Sequence, residues 1–247
     1  MADVITAAML VIGDEILSGR TKDRNIGHLA DMMTAIGIDL KEVRIVADDE
    51  AAIADAVNTL RAGHTYLFTT GGIGPTHDDI TADAVARAFG VPCEYDERAY
   101  AMLEAHYAAR GIEFTDARKR MARMPAGAEH IDNPVSLAPG FRIGNVHVMA
   151  GVPAIFQAML DNVVPTLKTG VKLLSETVQC PYGEGTIGGP LGEIQKNHPD
   201  TIIGSYPKYR DGTFWTELVI RSRDAGKLAS AKQAVESMLA DVARASA

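Results

Sequence analysis

Short apolar runs alternate with amphipathic stretches along the first 90 residues of the chain. Residues 4–12 are almost continuously apolar and have the length of a strand that is buried on both faces of a parallel sheet. Residues 25–36 then carry apolar side chains at helical spacing and end before Gly37, and this alternation repeats twice more. The pattern predicts βαβ units, in which the sheet is parallel and ligands lie beyond the carboxyl ends of the strands.

The chain continues with further predicted helices and an antiparallel pair of strands. Residues 96–109 and 115–124 have helical character. Residues 141–149 are typical of a hairpin that turns at Gly144-Asn145, so we expect two antiparallel strands to join the sheet. A helix over residues 153–167 would complete the domain, which is predicted to span residues 1–168.

The pattern of strands and helices starts again after residue 170. A strand up to Cys180, a helix over 185–197, a strand from Thr201, a strand over 214–221 and a helix over 225–244 give the order βαββα. This order predicts a small α+β domain over residues 171–247, with both helices on one face of its sheet.

Composition and charge narrow the range of partners. The content of 47% hydrophobic and 23% charged residues is that of a globular protein, and the formal net charge is −8. An acidic chain lacks the basic face that nucleic acid or an anionic membrane requires, so neither partner is expected, whereas a small anionic ligand held locally remains possible. The apolar run at residues 4–12 is too short to span a membrane and follows no basic segment, so we expect a cytoplasmic protein.

The glycine-rich segment that follows the third predicted strand is the main candidate for chemistry. Residues 66–81 read as a buried strand, a turn containing Gly71, Gly72 and Gly74, and the start of a helix. Glycines allow the backbone to approach a ligand, and the free N–H groups of a helix N-terminus favour phosphate or carboxylate. The segment lacks the lysine of a Walker A motif and the third glycine of a dinucleotide fingerprint.

Two acids, Asp78 and Asp79, complicate the prediction of an anion site. Both would repel a bare phosphate unless a divalent cation, a proton or a ligand hydroxyl lies between them. The alternative is that one of them, or Thr76 together with Asp79, caps the helix that runs to Phe89. The sequence leaves both readings open, and they are compatible.

Two further loops are expected at the same edge of the sheet, and two other segments could contact a ligand. Gly13-Asp14-Glu15 follows the first strand and Asp48-Asp49 the second, although each could be a solvated surface turn. The segment 133–141 contains two prolines and is stiff enough to hold a ligand. Gly151-Val152-Pro153 repeats the order of strand, glycine and helix, with Pro153 suited to the first helical turn.

Taken together, these motifs resemble the MoaB/Mog molybdopterin-binding domain in its CinA-like branch. The resemblance rests on GDEILSG at 13–19, Asp23-x-Asn25, TGGIGPTxDDxT at 70–81, Asn133-Pro134 with APGF at 138–141, and Gly151-Val152-Pro153, and it covers residues 5–168. Ile203-Gly204-Ser205-Tyr206-Pro207 resembles the small domain that follows it in CinA-type proteins. The resemblance implies a three-layer α/β/α fold with a doubly wound, mostly parallel sheet.

The resemblance also implies which residues bind and which react. It implies a pterin or nucleotide ligand, with molybdopterin as one candidate. The positions that match the family's motifs, and that are therefore expected to bind the ligand, are Gly13, Asp14, Glu15, Asn25, Thr70, Gly71, Gly72, Gly74, Pro75, Thr76, Asp78, Thr81, Asn133, Ser136, Pro139, Gly140, Gly151 and Pro153. The aspartates that match functionally important family positions are Asp48 and Asp79, which we expect to be catalytic.

One departure from the family pattern changes the expected activity. Members that adenylylate molybdopterin typically carry an arginine where this chain has Asp78. Replacing arginine by aspartate removes a cation that could hold phosphate and adds an oxygen ligand for a hard metal. The chain therefore resembles the CinA branch, to which a metal-dependent pyrophosphatase acting on ADP-ribose-like nucleotides is attributed. Asp14, Asp48 and Asp79 are the expected ligands of Mg²⁺ or a similar ion.

Other properties of the family lead to further expectations. Members usually self-associate, so a homodimer or homotrimer is expected. The chain ends before any amidohydrolase domain, so deamidation of nicotinamide nucleotides is not expected. Three functions stay open: a nucleotide pyrophosphatase, a protein that binds or processes molybdopterin, and a non-catalytic module. The last could bind RNA through Gly185-Thr186-Ile187-Gly188, which matches the Gly-x-x-Gly pattern of KH folds, but residues 171–247 have no net positive charge.

Overall fold

The computed structural model describes residues 4–245 and divides into two compact units, the first ending at Gly170 and the second beginning at Val171. The first unit contains β1 (Thr6–Ile12), α1 (Asp14–Leu17), α2 (Asn25–Ala35), β2 (Asp39–Val46), α3 (Glu50–Gly63), β3 (Tyr66–Thr70), α4 (Thr81–Phe89), β4 (Cys93–Tyr95), α5 (Glu97–Ala109), α6 (Asp116–Lys119), β5 (Arg123–Pro125), β6 (Glu129–Ile131), β7 (Gly140–Ile143), β8 (Val146–Met149) and α7 (Pro153–Val163). Short 3₁₀ turns follow α6 and α7.

A six-stranded sheet in the order β2-β1-β3-β8-β7-β6 forms the centre of the first unit. The pairs β1–β2, β1–β3 and β3–β8 are parallel, and β7 joins β8 and β6 in antiparallel pairs. The parallel sheet and the hairpin that turns at Gly144-Asn145 are therefore confirmed. The β4–β5 pair forms a separate two-stranded sheet.

Both faces of the central sheet are covered, as the continuous burial of β1 requires. Residues of β1 alternate between two apolar cores: Leu10 packs with Ile53 and Val57 of α3, whereas Met9 packs with α2 and α7. Helices α3, α4 and α5 contribute to the first core, and α2 and α7 contribute to the second. The prediction of a three-layer α/β/α fold is confirmed.

The prediction of a helix over residues 115–124 is wrong in its second half. Thr115 caps α6 by accepting a hydrogen bond from the Arg118 backbone N–H, but the helix ends at Lys119. Residues 123–125 instead pair with β4. A proline at position 125 disfavours helical geometry at Met124, which is consistent with a strand rather than a helix at residues 123–125. Strand β6 has only three residues and was not predicted.

The second unit has the predicted order βαββα. It contains β9 (Leu174–Cys180), α8 (Glu184–Asn197), β10 (Ile202–Arg210), β11 (Thr213–Ser222) and α9 (Ala225–Ala245). The strands form an antiparallel sheet in the order β10-β11-β9. Ile187 of α8 and Val235 of α9 share one apolar core with Leu218 and Ile220 of β11, so both helices cover the same face of this sheet.

Candidate functional site

The loops that follow β1, β2, β3 and β8 meet at the carboxyl edge of the parallel sheet. The backbone N–H of Gly13, just after β1, donates to the Val46 carbonyl at 3.2 Å, and that of Gly71, just after β3, donates to the Met149 carbonyl at 3.2 Å. A cavity of about 540 Å³ opens between these loops. This is the place where ligands bind in open α/β sheets.

Buried polar side chains hold the floor of this cavity in place. The Thr70 hydroxyl at the end of β3 donates to the Ala150 carbonyl at 3.0 Å, and the Asn25 amide donates to the Gly151 carbonyl at 2.9 Å. Asn25 and Thr70 are almost completely buried. Asn25 and Thr70 therefore brace the loops from below rather than line the cavity.

The glycine-rich turn is built so tightly that it excludes side chains at two positions. Gly71 has φ of +106°, and a Cβ there would lie 2.1 Å from the Ile12 carbonyl oxygen. Gly72 has φ of +68°, and its Cβ would lie 2.1 Å from Thr81 Oγ1. The Thr81 hydroxyl donates to the Gly71 carbonyl at 3.0 Å, which ties the turn to the start of α4. The two glycines are therefore required for the close packing of the turn against the end of β1 and the start of α4, and both line the cavity.

The proposed capping role of the acids in this loop is wrong. Helix α4 begins at Thr81, its N-cap residue is Ile80, and no side chain caps it. The Asp79 carboxylate instead accepts hydrogen bonds from the Thr76 backbone N–H at 2.7 Å and from the Thr76 hydroxyl at 2.5 Å. Asp79 thus closes a turn within the loop, two residues before the helix starts.

Asp48 lies among other carboxylates at the opposite wall of the cavity. Its Oδ2 accepts a hydrogen bond from the Asp14 backbone N–H at 3.0 Å. Burial raises the pKa of Asp48 above its ordinary value, and the negative charges of Asp14, Glu15 and Asp78 raise that pKa further. Burial and the neighbouring negative charges therefore disfavour the ionised form of Asp48. A proton on its carboxylate, or a cation bound nearby, would relieve this cost.

The expected metal ligands Asp14, Asp48 and Asp79 do not form a ready site. No group of three or more His, Cys, Asp or Glu side chains among residues 4–245 is placed to hold a metal ion. One reason is that the Asp79 carboxylate is turned toward Thr76. Asp48 and its neighbours still offer the oxygen ligands that Mg²⁺ prefers, and Mg²⁺ commonly completes its shell with water and with phosphate oxygens of a substrate. The residues present fit a cation that arrives with a phosphate ligand.

The segment that follows β6 forms another wall and is organised by one side chain. Asn133 is buried, and its amide nitrogen donates to Ser136 Oγ at 2.6 Å and to the Ala138 carbonyl at 2.8 Å. Its side-chain oxygen accepts from the Val135 and Ser136 backbone N–H groups. These bonds stiffen the loop and use most of the hydrogen-bonding capacity of the Asn133 side chain.

The structure brings most of the predicted site residues to the cavity. Those that line it are Gly13, Glu15, Asp48, Gly71, Gly72, Gly74, Pro75, Asp78, Asp79, Asn133, Ser136, Gly151 and Pro153. Asp14, Thr76 and Thr81 bond to lining residues, and Gly140 lies in β7, where a Cβ would meet the Val148 carbonyl. Pro139 lines a smaller hollow that shares Gly72, Gly74 and Asp79 with the cavity.

Several apolar residues of the cavity were not predicted. Ile12, Ile73, Met121, Val152 and Ile155 line it. The position of Ile12 immediately before Gly13 could have indicated its role, because the last residue of a parallel strand faces the loop edge. Nothing in the sequence pattern connects Met121, which lies in a distant 3₁₀ turn, with the other residues of the site.

The Gly-x-x-Gly segment of the second unit lies within a helix. Gly185-Thr186-Ile187-Gly188 lies in the first turns of α8 with Ile187 fully buried, so this Gly-x-x-Gly sequence does not form a loop that could clamp a nucleic-acid backbone. No helix within residues 4–245 is long and apolar enough to cross a membrane.

Comparisons with known proteins agree with this architecture. Residues 8–169 match the family described as "Probable molybdopterin binding domain", and residues 172–245 match the one described as "FAD synthase, middle domain". A protein of Pyrobaculum arsenaticum is 36% identical over 211 residues, which cover 82% of this chain and 80% of the relative. A protein of Archaeoglobus fulgidus is 30% identical over 233 residues, which cover 94% and 97%.

One solved structure is similar in both sequence and fold. The CinA protein of Thermoplasma acidophilum, described as having unknown function, is 31% identical and superposes with a TM-score of 0.60. The similarity covers 65% of this chain and 98% of that protein.

Proposed function

This chain belongs to the molybdopterin-binding-domain family in its CinA-like branch, and from that premise we propose that it binds a nucleotide with a pyrophosphate linkage and hydrolyses that linkage with the help of a divalent cation. ADP-ribose is the proposed substrate type. The observation that carries the proposal is that Gly71 and Gly72 line one cavity together with a cluster of carboxylates around Asp48.

The cavity offers the proposed ligand a glycine-rich turn for its phosphates, carboxylates that suit a cation, and apolar side chains for its base. The glycine-rich turn offers a surface to which phosphate oxygens can approach closely. A divalent cation, when bound, supplies positive charge that offsets both the pyrophosphate and the carboxylates. The apolar side chains of Ile73 and Met121 add a surface on which a flat base can pack.

Asp48 is the proposed general base. Its carboxylate is held by the Asp14 backbone N–H, and its raised pKa makes it a better proton acceptor than an ordinary aspartate. As the water oxygen bonds to one phosphorus, the bond from that phosphorus to the bridging oxygen breaks and the water proton passes to Asp48. ADP-ribose and water then give AMP and ribose 5-phosphate. Asp79 is proposed to support catalysis by holding the loop through Thr76.

The match of the second unit to a domain named for FAD synthase supports testing a second dinucleotide. FAD also contains a pyrophosphate, and its hydrolysis gives AMP and FMN. The two substrates share AMP and differ in the group on the other phosphate. An assay that offers ADP-ribose and FAD separately would therefore show which of these groups the site accepts.

The test is hydrolysis by wild type, Asp48→Asn and Asp79→Asn in the presence of Mg²⁺, followed by AMP release. Asp48→Asn should lower the rate by at least about 100-fold, because general-base catalysis contributes about 10²–10⁴-fold. Asp55→Asn, an exposed aspartate of α3, is the matched control and should keep the wild-type rate. Equal rates for Asp48→Asn and wild type would remove the assignment of Asp48.

A second candidate function follows from the family itself. The domain is described as molybdopterin-binding, so the cavity could bind that pterin without hydrolysing a nucleotide. Parallel titrations with molybdopterin and with ADP-ribose separate the two functions. Binding of molybdopterin alone would favour the second candidate, and binding of ADP-ribose alone would favour the first.

A further inference from the structure

Arg120 contacts the loop of the glycine-rich turn at Asp79, and no carboxylate among residues 4–245 forms an ion pair with it. Its Nη2 donates to the Asp79 backbone carbonyl at 3.1 Å, and its Nε is buried with no hydrogen-bond partner among the described residues. With Gly72, Gly74 and Asp79, Arg120 lines a smaller hollow next to the main cavity, and these three residues line both.

The other cations of the same segment are already paired or stacked. Arg123, which lines the same hollow, forms two hydrogen bonds with the Asp83 carboxylate at 2.6 and 2.9 Å. Lys119 pairs with Asp116 at 2.8 Å, and Arg118 lies over the Tyr107 ring. Arg120 is therefore the member of this basic segment whose charge is available to act on the turn.

The main cavity needs such a charge. Glu15, Asp48, Asp78 and Asp79 line it, and no lysine or arginine among the described residues does. A phosphate ligand would meet four carboxylates on arrival. Gly72, Gly74 and Asp79 line both the main cavity and the hollow that contains Arg120, so this cation lies next to the wall of the cavity. Charges interact more strongly through partly buried protein than through bulk water.

We propose that Arg120 is the positioning residue that makes the glycine-rich turn an anion site. It holds the Asp79 end of the loop through a backbone hydrogen bond, and its charge acts across the shared wall on phosphate groups in the main cavity. The inference rests on the proposed function, because it assigns a phosphate-bearing ligand to the same cavity. It adds that affinity depends on the number of phosphates and on a residue outside the cavity.

Binding of adenosine, AMP and ADP without added metal tests this role. The variants are Arg120→Met, which removes the charge, and Arg120→Lys, which keeps it. Arg118→Met is the matched control, because it removes an equal charge from the same segment but not from the smaller hollow. Isothermal titration gives the affinities, and thermal denaturation confirms that each variant is folded.

Arg120→Met should weaken ADP binding by about tenfold or more, the size expected for an interaction with a charged group, and should weaken AMP binding less. Arg120→Lys should recover most of the loss, and Arg118→Met should bind as wild type. A loss that is equal for adenosine, AMP and ADP would indicate general loosening of the loop and would overturn the inference, as would unchanged ADP binding by Arg120→Met. Binding of ADP by the wild type only after Mg²⁺ is added would overturn this inference and leave the proposed function in place. A wild-type protein that binds none of the nucleotides with or without Mg²⁺ would remove the proposed function, and this inference with it.

Discussion

The side-chain amide of Asn25 donates a buried 2.9 Å hydrogen bond to the Thr70 hydroxyl, across 45 positions of sequence. The same amide nitrogen donates to the Gly151 carbonyl, so the start of α2, the end of β3 and the loop after β8 meet at one nitrogen atom. The glycine-rich turn begins at the residue after Thr70. The geometry of the candidate site therefore depends on a side chain that does not line it.

Asn25→Ala should destabilise the first unit. The substitution removes the donor to the buried Thr70 hydroxyl and to the more exposed Gly151 carbonyl, and an unsatisfied buried group costs about 1–3 kcal/mol. Urea denaturation measures the free energy of unfolding. Asn58→Ala, at an exposed position of α3, is the control and should change stability little. An Asn25→Ala protein as stable as the control would contradict the bracing role.

Gly72→Ala should damage the site more than a positive φ alone explains. A Cβ at Gly72 would lie 2.1 Å from Thr81 Oγ1, so the turn or α4 must move, and ligand affinity should fall together with stability. Gly90 has nearly the same φ, +67°, but open space around it. Gly90→Ala therefore measures the cost of the backbone conformation, about 1–2 kcal/mol. A Gly72→Ala variant no less stable than Gly90→Ala would show that the turn adapts to the side chain.

The sequence predicted the fold well because a strand as apolar as β1 has to be covered on both faces of its sheet. A run of buried residues that alternates between two cores requires helices on both faces of a parallel sheet. The pattern failed where local and tertiary preferences compete. Residues 123–125 have helical neighbours, but they pair with β4, and no local signal shows that partner.

The sequence predicted which glycines and acids lie at the candidate site, but it did not predict the hydrogen bonds that those acids form. Asp79 and Thr76 are three residues apart, which is the spacing of a helix cap, and the sequence could not show that α4 begins only at Thr81. Met121 and Arg120 come from a segment about 40 residues after the turn. Their place near it results from packing of the 3₁₀ turn, which sequence periodicity does not reveal.

His147 should make the protein sensitive to acid. Burial, together with the positive charge of Arg142 as a smaller cause, lowers the pKa of His147 from 6.5 to about 4. The unfolded chain therefore binds a proton between pH 6.5 and 4 that the folded chain does not, so stability present above pH 6.5 is lost as pH falls toward 4. The shift corresponds to about 3 kcal/mol.

Urea denaturation at several pH values in this range tests the prediction for His147. His147→Phe, which keeps a ring stacked on Phe68, should lose less stability than wild type as pH falls. His77→Gln changes a histidine with a fully exposed side chain and should follow the wild-type curve. Identical slopes for His147→Phe and wild type would show that other groups cause the acid sensitivity.

Asp48→Asn should stabilise the folded chain at neutral pH while it strongly lowers the rate of hydrolysis. Because the folded-state pKa of Asp48 is raised above 3.8, the folded chain holds its proton more tightly than the unfolded chain, and stability falls as pH rises through this window. Asparagine removes the charge but keeps an oxygen that can accept from the Asp14 backbone N–H. The melting temperature of Asp48→Asn should therefore exceed that of wild type at pH 7 and approach it below pH 3.8.

The comparison with Asp55→Asn shows whether the gain in melting temperature is specific to the position of Asp48. Asp55 is exposed on α3, so its substitution should shift the melting temperature little at either pH. A gain confined to Asp48→Asn would mean that the chain keeps a carboxylate at a place where it costs stability. Such a cost is expected of a group retained for chemistry, because catalytic carboxylates are held where their charge is disfavoured. A lower melting temperature for Asp48→Asn at pH 7 would instead indicate that Asp48 is a structural acceptor for Asp14.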